Sequence, residues 1–163
     1  MTRATEGTSR YASLSSRRAA LALTLQIAIR SKGLPAPARL RHWARAALAR
    51  PARVTLRIVG EREGVSLNRE FHRKPCATNV LTFCYDHGTY LAGDVVLCAP
   101  VIAREARAQG KSLDAHYAHL MVHGLLHLQG YDHGKLREAR IMEAREISIL
   151  RRLGFPNPYA TED

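Results

Sequence analysis

Every strand signal in this chain lies before residue 99. Residues 21–29 (LALTLQIAI) alternate and end at Ser31-Lys32-Gly33, the pattern of a strand followed by a turn. Residues 54–60 (VTLRIVG), 79–85 (NVLTFCY) and 93–98 (GDVVLC) are short, β-branched and aromatic runs, with turn chemistry at Asp86-His87-Gly88. Residues 35–50 place Leu40, Trp43, Ala44, Ala47 and Leu48 at helical spacing and stop at Pro51. Residues 65–71 suit a short helix leading into the polar segment 72–77. After residue 98 only helical periods remain: 99–109 closing at Gly110, 113–129 closing at Gly130, and 135–153 closing at Gly154. This order predicts an α/β (α+β) layer, a small four-stranded sheet packed against helices.

At 163 residues the chain has the length of one domain. Residues 21–163 read as that domain, and residues 1–20, rich in Arg, Ser and Thr, as a disordered extension, although such a start also resembles an organelle transit peptide. The absence of an apolar centre before Leu21 argues against a secretory signal. No apolar run reaches the roughly 18 to 20 residues of a membrane span. Cys76, Cys84 and Cys98 are odd in number and form no C-x-x-C pair, so each is expected as a small buried hydrophobe in a reducing compartment. Lys and Arg number 25 against 14 Asp and Glu, a net charge of +11 carried mostly by Arg. That field favours a polyanionic partner.

The segment 121–134 (MVHGLLHLQGYDHG) carries the chemistry. His123 and His127 lie four apart, so on a helix their imidazoles project from one face. Gly130 allows the chain to leave the helix and turn back, and His133 follows. Three neutral nitrogens can then converge on one ion, while Leu125, Leu126 and Leu128 pack the helix around them. Three His ligands suit one zinc ion with a fourth position left for water, the catalytic rather than the structural arrangement. An ion so bound keeps its full charge and lowers the pKa of that water towards about 7. His119 shares the i, i+4 register, but a straight helix spreads three ligands over about 12 Å. His119 is therefore left to the core or to a supporting hydrogen bond.

The spacing H-x-x-x-H-x-x-G-x-x-H is also that of metzincin proteases, whose general base is a Glu after the first His. Here that residue is Gly124. A protease built this way lacks its proton acceptor.

The string HGLLHLQGYDH at 123–133, with SLNREF at 66–71, ATNVLTF at 77–83 and AGDVVLC at 92–98 in the same order, resembles the bacterial YbeY family of rRNA-processing metalloendoribonucleases. The likeness runs from about Leu21 to the FPNPY near the C-terminus. It implies a single-strand-specific endoribonuclease that matures the 3′ end of 16S rRNA and takes part in ribosome quality control. It also implies a cytoplasmic location, an rRNA precursor as partner with a ribosomal subunit or ribosomal protein, and zinc on His123, His127 and His133. The family carries an Arg between its LN and TNVL stretches. Counting from Asn68 to Asn79 puts His72 at that position, with Arg73 beside it. A guanidinium stays charged and grips phosphate bidentately, whereas an imidazole is mostly neutral at pH 7. Arg73 is then expected to reach the scissile phosphate instead, or His72 to act as proton donor.

Other residues carry weaker signals. Asp132 either orients the neighbouring imidazole or caps the turn after Gly130. Glu143 and Glu146 read as a solvated, salt-bridged face of the last helix. Tyr131 reads as packing, with base stacking as its alternative. Two functions of different class remain: hydrolysis of RNA phosphodiesters, and a non-catalytic assembly factor docking on rRNA through its basic surface. The lack of an evident fourth protein ligand favours the enzyme.

Overall fold

The alternating and helical runs form nine elements in the computed structural model, which describes residues 20–74 and 76–161. Apart from Ala20, the N-terminal extension lies outside the described residues. In chain order the elements are β1 (Leu21–Ile27), α1 (Pro37–Ala47), β2 (Ala52–Val59), α2 (Glu61–His72), β3 (Val80–Asp86), β4 (Leu91–Cys98), α3 (Ala99–Ala108), α4 (Leu113–Leu128) and α5 (Leu136–Arg152). The strands lie in the order β1-β2-β4-β3. β1, β2 and β4 run parallel, and β3 returns antiparallel to β4 as an edge strand. Parallel neighbours need a crossover, and α1 supplies it between β1 and β2.

The two faces of the sheet are covered unequally. On one face Leu56, Ile58, Val95 and Leu97 pack with Leu40 and Trp43 of α1 and Met121 and Leu125 of α4 into the main core. On the other, a smaller cluster of Val59, Leu81, Val96, Cys98 and Val101, with Leu67 of α2, covers one end only. α4 buries residues nearly all round its circumference, as a central helix must. The Ser112 side chain accepts from the Ala115 N–H at 3.1 Å at its N-terminus. Its C-terminus closes on Gly130 at φ 95°, with the Tyr131 N–H reaching Leu126 O at 3.1 Å.

Missing side chains set the distance between α4 and the sheet. A Cβ on Gly124 would stand 3.0 Å from Val95 Cγ1 and 3.2 Å from Thr82 Cγ2; one on Gly93 would stand 2.6 Å from the Phe83 carbonyl oxygen and 2.8 Å from Leu128 Cδ2. The helix therefore rests on β3 and β4 at glycine contact.

Three sequence expectations shift. α2 begins at Glu61 rather than residue 65, and His72 is its last residue rather than part of a polar loop. Gly64 masks that first turn because glycine is a poor helix former; it is kept there because a Cβ would press on Cys98 Sγ at 3.0 Å. β4 begins at Leu91, ahead of the run at 93–98. Of the cysteines, Cys98 is buried as expected, Cys84 is half-buried, and Cys76 is exposed. Cys76 follows the end of α2 and belongs to neither packed face. No helix among the described residues is long and apolar enough to cross a membrane.

Gly93→Ala should destabilise the protein by about 2–3 kcal/mol, because the clashing oxygen is backbone and cannot rotate away. A lower urea midpoint at unchanged m-value would show it; an unchanged midpoint would mean that the helix–sheet spacing is slack.

Candidate metal centre

α4 delivers His123 and His127 from one face, one turn apart, and the chain reversal at Gly130 brings His133 back towards them. Asp132 fixes the reversal: its Oδ1 accepts the backbone N–H of His133 at 2.7 Å and of Gly134 at 3.3 Å. Those two bonds hold the exposed Asp132 carboxyl below its ordinary range. Ring centroids lie 4.8 Å apart for His123 and His127, 4.7 Å for His127 and His133, and 5.3 Å for His123 and His133. One nitrogen from each ring lies within 4.8 Å of the others, close enough to share a metal ion. Burial, and then the neighbouring His123 and His133, push the His127 pKa below its ordinary value, so this ring stays neutral and able to donate its lone pair. The trio opens on a cleft of about 540 Å³ whose far wall is the end of α2 and the segment that follows it, including His72, Lys74 and Asn79.

Behind the trio stands a fully buried carboxylate. Glu146 was expected on a solvated, salt-bridged face; it is 0% exposed and belongs to the stripe of α5 that buries Met142, Ile149 and Leu150. It accepts hydrogen bonds from His123 Nδ1, from the Tyr159 hydroxyl and, at 3.2 Å, from His119 Nε2. Burial alone would raise its pKa, but the three donors outweigh that and bring it to about 2. Burial and the same carboxylate push the Tyr159 hydroxyl well above its ordinary value. The bond to His123 Nδ1 leaves Nε2 as that ring's free nitrogen and fixes the ring's orientation, the role such carboxylates play behind metal-binding imidazoles. His119, His123 and Glu146 also offer atoms within 4.8 Å of one another, but these are committed to one another as donors and acceptor. Glu143 is half-buried and makes no salt bridge among the described residues.

A second support holds the opposite wall. Glu105 on α3 accepts from His116 Nε2 at 2.7 Å and from Asn79 Nδ2 at 3.1 and 3.2 Å, tying the start of β3 to α4. The amide of buried Asn68 donates to Cys76 O at 2.7 Å and ties the end of α2 to the loop that follows. This places the two residues at the family's Arg position differently. His72 lines the cleft, whereas Arg73 caps α2 in a left-handed conformation (φ 55°), is exposed, and is not part of the cleft wall. Tyr131 packs against the main core.

Residues 31–154 match the family model described as Endoribonuclease YbeY. The chain belongs to the YbeY family. Among its relatives, an Endoribonuclease YbeY of Aromatoleum aromaticum is 57% identical over 143 residues, spanning 86% of this chain and 93% of the relative. That of Nitrosomonas europaea is 53% identical over 142 residues, 87% of each. The solution structure of a Thermotoga maritima protein superposes with a TM-score of 0.52 at 19% identity, covering 86% of this chain and 99% of that one, which shows the shared fold. Within this YbeY chain the site also explains why a metzincin base is missing. The position after the first His faces β3 and β4 at 3.0 to 3.3 Å, where a Glu side chain has no room and does not face the cleft.

Glu146→Gln should weaken metal binding by about 10- to 100-fold, measured by competition with a chromogenic chelator. The folded pKa of Glu146 lies below the ordinary 4.5, so its contribution to stability is present above that pH and is lost as pH falls towards 2. Denaturation midpoints measured across that window should fall less steeply in Glu146→Gln than in the wild type.

Proposed function

We propose that this chain is a zinc-dependent endoribonuclease that cuts single-stranded RNA. In this proposal it acts in the cytoplasm on the 3′ end of precursor 16S rRNA and in ribosome quality control, in contact with a ribosomal subunit or ribosomal protein. The observation that carries it is the convergence of His123, His127 and His133 at an open cleft, with no fourth His, Cys, Asp or Glu joining them among the described residues. A structural zinc is nearly always closed by four protein ligands, so a three-ligand set facing a cleft favours chemistry over scaffolding. The names of the relatives supply the substrate class, and the charge of +11 supplies attraction for a polyanion.

When bound, the ion provides a Lewis acid that activates water and neutralises charge on phosphoryl oxygens. The protein's own groups position and protonate. Glu146 holds His123 in one orientation, the Asp132 turn holds His133, and the glycine contact of α4 with the sheet holds both His123 and His127 against the cleft. His72, in the opposite wall, is the better placed of the pair to meet the phosphate or the leaving oxygen. Arg73 stands outside the wall of the cleft.

Purified protein should carry about one zinc per chain and should cleave single-stranded RNA, with cleavage lost on chelation and restored by zinc. Casein should remain intact. His123→Ala should keep fold and RNA binding while losing cleavage; retained cleavage would leave only the docking role. His72→Ala should slow cleavage by about 100-fold and Arg73→Ala by less; full activity in both would remove them from the mechanism. A 5′-phosphate product marks direct hydrolysis, and a cyclic phosphate marks attack by the ribose 2′-hydroxyl.

A further inference from the structure

The uneven cover of the sheet leaves aromatic side chains in solvent where the edge strand meets the cleft. Phe71, near the end of α2, is 54% exposed and packs edge-on against Phe83 of β3, with ring centroids 5.0 Å apart. The His72 ring lies 6.3 Å from the same Phe83 ring and lines the cleft. Further along β3, Tyr85 is 69% exposed. The strand pairing slips there: Cys84 faces Gly93 and Asp86 faces Ala92, so Tyr85 is the unpaired residue of an edge bulge. Bulges at edges commonly re-aim a side chain. The Tyr85 hydroxyl donates to Asp94 at 2.6 Å, which holds the ring while leaving most of it in water.

The cations at the end of α2 that carries Phe71 are uncommitted. Arg69, Arg73 and Lys74 sit at the exposed end of α2, and none of them makes a salt bridge among the described residues. Lys74 also lines the cleft. Core packing does not call for these groups, since Phe71 and Tyr85 contribute to neither buried cluster. Exposed rings joined to a cleft through His72, with unpaired cations on the same helix end, match the chemistry of a single nucleic-acid strand: each base offers a π-face and each phosphate a charge. A duplex hides its base faces in its own stack and gains only the charge contact.

We propose that Phe71 and Tyr85, with Phe83 and His72 between them and the cleft, form a stacking platform for unpaired bases of an RNA strand leaving the metal centre, its phosphates held by Arg69, Arg73 and Lys74. This rests on the endoribonuclease proposal and adds where the strand lies and why it must be single. Stacking tolerates every base, so the platform selects for strandedness and not for sequence.

The test is fluorescence anisotropy of a short labelled single-stranded RNA against His123→Ala protein, which lacks a zinc ligand and does not cleave, and against ring variants built on that parent. Phe71→Ala and Tyr85→Ala should each weaken binding about 5-fold or more, with little effect on a blunt duplex of the same length. Phe71→Trp should restore the affinity. Equal affinity of the Phe71→Ala, Tyr85→Ala double variant and its parent for the single strand overturns the platform, as does an equal loss on the duplex, which would point to charge alone. If the double variant melts early, Tyr85→Ala alone decides, since that ring is mostly in solvent. Protein with its histidines intact that binds RNA but never cleaves it would sink the endoribonuclease proposal and leave the anisotropy result standing.

Discussion

The site depends on how closely α4 lies to the sheet. Gly93 of β4 lies under Leu128 of the helix and Gly124 of the helix lies over Val95 and Thr82, and neither has room for a methyl group without movement. A helix carrying two His residues on one face will present them somewhere. Glycine contact fixes where, because the His face of α4, which shares the cleft with β3, is then held at one distance from that strand and from the segment that forms the other wall. Helix propensity argues against Gly124 at mid-helix, at a cost of about 1 kcal/mol relative to Ala. Its presence there makes sense only through tertiary packing.

On that frame the polar groups are arranged in pairs of anchors. Glu146 on α5 reaches His123 on α4; Glu105 on α3 reaches Asn79 at the start of β3 and His116 on α4. Each carboxylate ties α4 to a neighbouring element, and each holds a group that borders the cleft directly. Glu146 is the more demanding of the two because it is fully buried. Leaving such a charge unpartnered would cost several kcal/mol, so the three donors are needed for the fold as well as for the orientation of His123. The C-terminal tail thereby enters the site, since Tyr159 supplies one of those donors.

Local signals that agreed with one another made much of this legible. The order of strands and helices could be read because each run had a consistent period and a glycine or proline at its end; Gly110, Gly130 and Gly154 all take positive φ where the helices were expected to stop. The His trio could be read because an i, i+4 pair and a turn glycine are local geometry. What escaped was set by tertiary contact. Gly64 hid the first turn of α2 because the reason for a glycine there is Cys98, on another element. By charge alone Glu146 reads as a surface residue, yet it occupies the same stripe as Met142, Ile149 and Leu150. A carboxylate in line with an apolar stripe was the available signal. Its partners, 13 to 27 residues away, were not visible from spacing.

The three imidazoles are held by unlike means: His123 by a buried carboxylate, His127 by burial in the helix face, His133 by an Asp-capped turn. Each anchor is made by the chain's own groups. Gathering the imidazoles has an electrostatic consequence, because positive charge on His123 or His133 disfavours protonation of His127 beside them. A bound divalent ion removes that conflict by taking up the lone pairs that protons would otherwise claim. The fold supplies the geometry, and a divalent ion held there would supply the charge.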